Sequence, residues 1–206
     1  MDQFLDTIEL SISDEEHWDQ DMKFFTTVTV SGEIRRVSAA VIATFPDSVA
    51  LSPFIRDRPK STILDGDAVI GDVVYTDTHA FLLLRKDVRF NLAQVVLADS
   101  VVVLISARSG IDHLSALSER FPTNIQQKQL AIGGVAADQL TQSMIQNKSC
   151  LVLVNEHTSI SVELDGLVAL AQELTHVLGL PNPDVESLTK EFKRQVPINK
   201  KFPLYT

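Results

Sequence analysis

The run QKQLAIGGVAADQLTQSMIQ, residues 127–146, lies between two short apolar stretches, DSVVVLISA at 99–107 and SCLVLVNE at 149–156. Both stretches are rich in β-branched residues and alternate little, which is the pattern of a strand covered on both faces in a parallel or mixed sheet. Between them Leu130, Gly134, Ala137, Thr141 and Met144 recur at helical spacing and predict a helix. Its small residues come early, and Gly133 and Gly134 each cost a helix roughly 1 kcal/mol relative to alanine. Close approach of this helix to the sheet is the expected offset. Strand, helix and strand in this order imply an α/β layer fold with right-handed crossovers around a central sheet.

The reading extends outward in both directions. After the second stretch, ELDGLVALAQELTHVLGLP at 163–181 places Leu164, Leu167, Val168, Ala171, Leu174, Val177 and Leu178 on one helical face, and Gly179 and Pro181 stop it. PDVESLTKEFKRQ at 183–195 reads as a last short helix with Val185, Leu188 and Phe192 as its apolar side, ended by Pro197. Toward the amino end, FFTTVTVSGEIRRVSAAVIATF at 24–45 offers two β-rich runs around Ser31 and Gly32, the pattern of a tight hairpin. AVIGDVVYTDTHAFLLLR at 68–85 repeats that plan with Asp77 at its turn, and Pro46, Pro53 and Pro59 bracket a loop carrying Phe54 and Ile55. The expected class is therefore α/β: a central mixed sheet flanked by helices, one domain, with N-terminal β-hairpins and a flexible C-terminal tail. Its expected divisions are an acidic flexible lead-in at 1–22 with an edge strand around Thr7 to Ile12, the domain at 23–196, and the tail at 197–206.

Of 206 residues, 45% are hydrophobic, enough for one large core. No apolar run approaches the ~18 residues a membrane helix needs, and the amino end is acidic where a signal peptide would be basic and then apolar. A cytoplasmic protein is expected, with the nucleus as a second compartment and no membrane partner. Cys150 is the single cysteine, so a disulfide within the chain is excluded; beside Leu151 to Val154 it reads as a small buried hydrophobe. The net charge of −9 is unevenly distributed. Eight acids and no Lys or Arg fall in the first 22 residues, whereas Lys190, Lys193, Arg194, Lys200 and Lys201 face only Glu191 at the other end. Phosphate binding needs a basic stripe, and this short cluster does not supply one, so nucleic acid is excluded as a partner and protein is favoured.

Catalytic motifs fail on their chemistry. QELTHVLG at 172–179 matches the zinc-protease helix except that Gln172 stands where the first imidazole ligand belongs, leaving Glu173 no metal-bound water to activate and His176 no second imidazole. His17, His79, His113 and His157 are scattered, and seven residues separate Cys150 from His157 across a strand end. Gly133 and Gly134 belong to neither phosphate-binding glycine motif. Asp65, Asp67 and Asp72 lack calcium-loop spacing and read as a turn leading into a strand. No metal or other cofactor is expected, and the weight shifts from catalysis to binding.

The chain finishes KKFPLYT, and a large aromatic one residue from the end is poor material for a frayed terminus. Leu204, Tyr205 and Thr206 match the hydrophobic-Tyr-X terminus of 20S proteasome activators and assembly factors. With the AIGGVAADQLTQSMI helix, the CLVLVNE strand, the DGLVALAQELTHVLGLP helix and the short helix through Phe192, the segment from about Leu130 to Thr206 resembles the proteasome assembly chaperone 1 family. That resemblance implies a non-catalytic protein that pairs with proteasome assembly chaperone 2. The pair sits on the outer face of the proteasome α-ring, guides its assembly and blocks off-pathway ring dimerisation. It implies further that the tail enters a pocket between α-subunits: Leu204 fills an apolar recess, Tyr205 buries its ring, and the Thr206 carboxylate meets a lysine, with support from Lys200, Lys201 and the stiffening Pro203. Three other readings stay open at this point: a hydrophobic tail folded onto its own domain, a small-molecule enzyme of phosphorylase-like α/β type, and a structural subunit of an unrelated complex.

Overall fold

The computed structural model describes residues 27–109, 112–121, 125, 132–158 and 163–195. The acidic lead-in, its expected edge strand around Thr7 to Ile12, and the tail 197–206 lie outside them. Eight strands form one mixed sheet in the order β1-β3-β4-β5-β2-β6-β8-β7. They are β1 Val28–Val30, β2 Arg36–Thr44, β3 Lys60–Asp65, β4 Ala68–Tyr75, β5 His79–Leu84, β6 Leu97–Arg108, β7 His113–Glu119 and β8 Ser149–His157. Among the described residues four α-helices flank it: α1 Ser52–Ile55, α2 Gly134–Ile145, α3 Leu164–Leu178 and α4 Val185–Gln195.

The two apolar stretches that announce the fold are β6 and β8, parallel neighbours from Ser100–Ser149 to Arg108–His157. Their residues alternate between two cores. Val101, Val103, Cys150, Val152 and Val154 face the core covered by α2, and Val102, Leu104, Leu151 and Leu153 face the core covered by α1, α3 and α4. Burial on both faces removes the need for polar alternation, which is why the runs are continuous. α3 buries Leu167, Leu170, Ala171 and Leu174, and Gly179 ends it in the left-handed conformation at φ 63°. In α4 Leu188 is buried and Phe192 packs against the same core, while Val185 is exposed rather than part of the apolar side.

Further expectations are corrected. Ser31 and Gly32 do not turn a hairpin: β1 pairs antiparallel with β3, and β2 lies between β5 and β6, parallel to both. Ser31 stays with β3, its N–H donating to the Thr62 carbonyl at 2.9 Å while its hydroxyl accepts from the Thr62 N–H at 2.8 Å. The physical reason is in β2, where Ala40, Val41, Ile42 and Ala43 are fully buried; a strand apolar on both faces belongs at the sheet centre, not beside an edge strand of three residues. Hairpins do form at β3–β4, around Gly66 and Asp67, and at β4–β5, around Asp77.

The proline-bracketed loop holds a 3-10 turn, Asp47–Leu51, followed by α1, and it tucks Ile55 into the core. His113 opens the edge strand β7, an element that the sequence reading did not place. In α2 the buried positions are Val135, Ala136, Gln139 and Ser143, while Thr141 and Met144 of the expected stripe are exposed. Gln139 and Gln142 both donate from their side-chain amides to the Phe90 carbonyl, at 3.2 and 3.0 Å, so polar contacts hold part of this face.

Candidate functional site

Leu204, Tyr205, Thr206, Lys200, Lys201 and Pro203 lie outside the described residues, so the structure shows the platform from which the tail leaves. That platform is α4. Leu188 and Phe192 seat it on the core. An i,i+4 ion pair between Glu186 and Lys190, at 2.7 Å, lies on its exposed side, and the more enclosed Glu191 pairs with Arg194. The Arg194 guanidinium beside Glu191 holds that carboxyl below the usual carboxylate range.

At the carboxyl ends of the parallel strands, polar side chains distant in sequence meet inside the fold. Asp47, Asn155 and His157 are buried. The Asp47 carboxylate accepts from the Ser106 N–H at 2.8 Å and from the Ser106 hydroxyl, and the Asn155 amide donates to that hydroxyl at 3.4 Å. Gly166 of α3 lies so close to the Asn155 amide that a Cβ there would overlap it. The group therefore fastens the 3-10 turn to β6 and lets α3 down onto β8. Burial pushes the Asp47 carboxyl up to about 6, against the pull of both Ser106 hydrogen bonds and of His157.

A raised carboxylate makes the folded state the better proton binder, so this group's contribution to stability is present below the unfolded value and is lost as pH rises through the folded one. Asp47→Asn keeps an acceptor for the Ser106 N–H and can donate to its hydroxyl, without the charge. The variant is expected to gain on the parent chain by up to about 3 kcal/mol between about pH 4 and about pH 7 in urea unfolding. A gap that does not change with pH would show that Asp47 is not titrating there.

On the sheet's other face the Ser115 hydroxyl donates to Glu156 at 2.7 Å, fully inside the fold. The Asp87 carboxylate accepts the Val135 N–H at 2.7 Å and caps α2. Gly134 makes room for it: at φ 58° it holds a left-handed conformation, and a Cβ would fall inside the Asp87 carboxylate. The glycine pair is thus explained at one position only, and by a loop carboxylate rather than by the sheet. Around Gly133 a Cβ would meet nothing within 4 Å.

Cys150 is buried, and desolvation lifts its thiol to about 11, far from a nucleophile's range. It is the second residue of β8 and His157 the last, so the two stand toward opposite ends of one strand. Gln172 and His176 face solvent on α3. Among the described residues, no three His, Cys, Asp or Glu side chains converge to hold a metal, and no helix is long and apolar enough to cross a membrane.

An open cleft of about 450 Å³ lies at the opposite end of the sheet, between α1, the β4–β5 turn and the loop after α3. Phe54 and Phe81 stack there with ring centroids 6.0 Å apart and planes 9° apart. Arg56, Arg58 and Thr78 stand among its lining residues. The Thr78 hydroxyl is 2.8 Å from His79 Nδ1, and burial lowers the His79 pKa, which favours the neutral ring. Neither this cleft nor the buried polar group carries a sequence motif, because each assembles from segments far apart along the chain.

No protein-family model and no curated protein matches the chain. Solved structures do. PbaA of Pyrococcus furiosus, described as an archaeal homologue of proteasome-assembly chaperone, is similar with a TM-score of 0.62 and 13% identity over 81% of this chain and 92% of its own. PbaB of Pyrococcus furiosus, described as an archaeal proteasome activator, gives 0.62 and 12% over 82% of this chain and 96% of its own. A Thermoplasma acidophilum protein of unknown function gives 0.59 and 10% over 90% and 94%. At such identities the likeness is one of fold, and the chain has the fold shared by the archaeal proteasome-assembly chaperone homologue PbaA and the proteasome activator PbaB.

Proposed function

We propose that this protein is a non-catalytic assembly chaperone of the 20S proteasome. It pairs with a second assembly chaperone of the same fold, sits on the α-ring and inserts Leu204, Tyr205 and Thr206 into a pocket between α-subunits, in the cytoplasm and nucleus. The observation that carries this reading is the agreement of its fold with PbaA and PbaB over about four fifths of the chain. The tail triplet supports it independently, being made of an apolar filler, an aromatic with a polar tip and a carboxylate. Leaving from the end of α4, an extended segment from Pro197 to Thr206 spans about 33 Å, enough to reach into a ring pocket. At the strand ends Asp47, Ser106 and Asn155 are engaged in fastening elements to one another, which favours binding over small-molecule catalysis.

The test is affinity capture of the tagged chain from cells. Proteasome α-subunits and one second chaperone are expected to co-purify, and recovery of neither would overturn the reading.

Pairing has its own expected result. Met144 and Ile145 at the end of α2 are 56% and 69% exposed, and Leu97 at the start of β6 and Ile34 just before β2 are each 46% exposed. Apolar side chains of this size left in water suit a partner-covered face. Expressed alone, the chain is expected to self-associate or aggregate. A well-behaved monomer at micromolar concentration in sedimentation would count strongly against obligate pairing.

A further inference from the structure

We propose that the cleft between α1, the β4–β5 turn and the loop after α3 is a receptor for the chain's own Leu204 and Tyr205, so that the tail is stored on the body until another pocket competes for it. The proposal rests on the reading of Leu204–Thr206 as a docking element and adds a second place for it to dock.

The chemistry of the cleft fits that occupant. Its accessible apolar floor is Phe54 with Pro53 and Leu180, and Phe54 is fixed in place by stacking on the fully buried Phe81. A leucine and a tyrosine ring are the side chains such a floor desolvates well. Its volume of about 450 Å³ falls within the range of about 300–1,000 Å³ in which ligand pockets are found. Arg56 and Arg58 are among the lining residues with Asp77 as the sole acid, and Asp57 lies 3.7 Å from Arg56, so the lining itself carries a positive balance on a chain of net charge −9. An arginine can lie on the Tyr205 ring face and also meet a carboxylate at Thr206. Arg56 is held loosely: its side chain is 67% exposed, and its contacts with Asp57 at 3.7 Å and with the Ser187 hydroxyl at 3.5 Å are both long.

The chain path fits as well. α4 runs past the cleft, with Arg56 reaching the Ser187 hydroxyl at 3.5 Å near one end of the helix. Farther along, Glu191 feels the charge of Lys60, and Lys60 pairs with Val74, just before the β4–β5 turn. From Ser187 to Gln195 the helix advances about 12 Å, whereas the ten residues from Gln195 to Tyr205 reach about 33 Å when extended. The tail can therefore return with slack, and a tether this short holds its end at millimolar effective concentration. Weak contacts suffice to keep it seated, and a tighter site displaces it.

The experiment uses a fluorescent peptide of residues 198–206, INKKFPLYT, with the purified full chain and with the chain lacking Leu204–Thr206. Anisotropy is expected to show the peptide binding the shortened chain at least tenfold more tightly than the full chain, whose cleft its own tail occupies. Arg56→Glu with Arg58→Glu in the shortened chain is expected to abolish that binding. Hydrogen exchange at residues 76–79 and 179–182 supplies a readout free of substitutions in the body, with slower exchange expected in the full chain. Equal peptide binding by both chains, binding that survives loss of both arginines, or identical exchange would overturn the proposal. No proteasome is present, so the outcome is separate from that of the ring-binding test.

Discussion

Removing Thr206, or appending residues after it, is expected to weaken binding to purified 20S particles by roughly 30-fold to 1000-fold while the folded body stays intact. The carboxylate would no longer sit where a pocket lysine can neutralise it, and the lysine would be left buried and unpaired. Such a loss typically costs about 2–4 kcal/mol at an interface hot spot. Tyr205→Ala should fall in the same range, because the ring carries most of the apolar area the triplet can bury. Contacts made by the body moderate the total loss without changing its direction. Thermal melting run alongside separates the two places the tail could act. A shortened chain that loses ring affinity and keeps its melting temperature points to the ring pocket. One that keeps its affinity and melts lower shows that the tail serves its own domain. Arg56→Glu with Arg58→Glu, which leaves the tail whole, is expected to move ring affinity the other way by freeing the tail from its cleft.

The sequence was most legible where burial is carried by large apolar side chains at regular spacing. In α3 Leu167, Ala171 and Leu174 of the expected face are buried, joined by Leu170, which the spacing did not pick out. β6 and β8 are legible for the related reason that strands covered on both faces need no alternation. In α2 the same procedure fails, because the face against the sheet is built from Val135, Ala136, Gln139 and Ser143. Two glutamine amides bonding one carbonyl do in part what leucines do elsewhere, and hydrophobicity does not report them. β7 was invisible because His113, Ser115 and Ser118 interrupt its apolar pattern on an edge strand.

The Ser31–Gly32 signal was genuine as a local preference and lost to the demand of β2 for neighbours on both sides. Of the candidate site, only the tail triplet could be read in advance, since it is contiguous and matches a known terminus. Asp47, Ser106, Asn155 and His157 come together only through topology. The cleft likewise joins the β4–β5 turn to a loop about a hundred residues later, a separation over which residue spacing carries no information.

Gly134→Leu is expected to cost about 2–4 kcal/mol of stability, and Gly133→Leu less than about 1, although the sequence presents the two glycines alike. Gly134 sits at φ 58°, where an L side chain costs roughly 1–2 kcal/mol. Its Cβ would also displace the Asp87 carboxylate that accepts the Val135 N–H, removing a helix cap worth about 1 kcal/mol. Gly133 is extended, with φ −132° and ψ −172°, and a Cβ there meets nothing within 4 Å. In a chain of this size the Gly134 change should lower the melting temperature by roughly 5–15 °C, and the Gly133 change by a few degrees at most. A double-mutant cycle tests the cause. Asp87→Ala alone removes the cap and should cost about 1 kcal/mol. Combined with Gly134→Leu it adds little further loss, because the carboxylate that the leucine displaces is already gone. Full additivity of the two changes would show that Asp87 and Gly134 act separately, and the left-handed backbone alone would then be the reason for glycine.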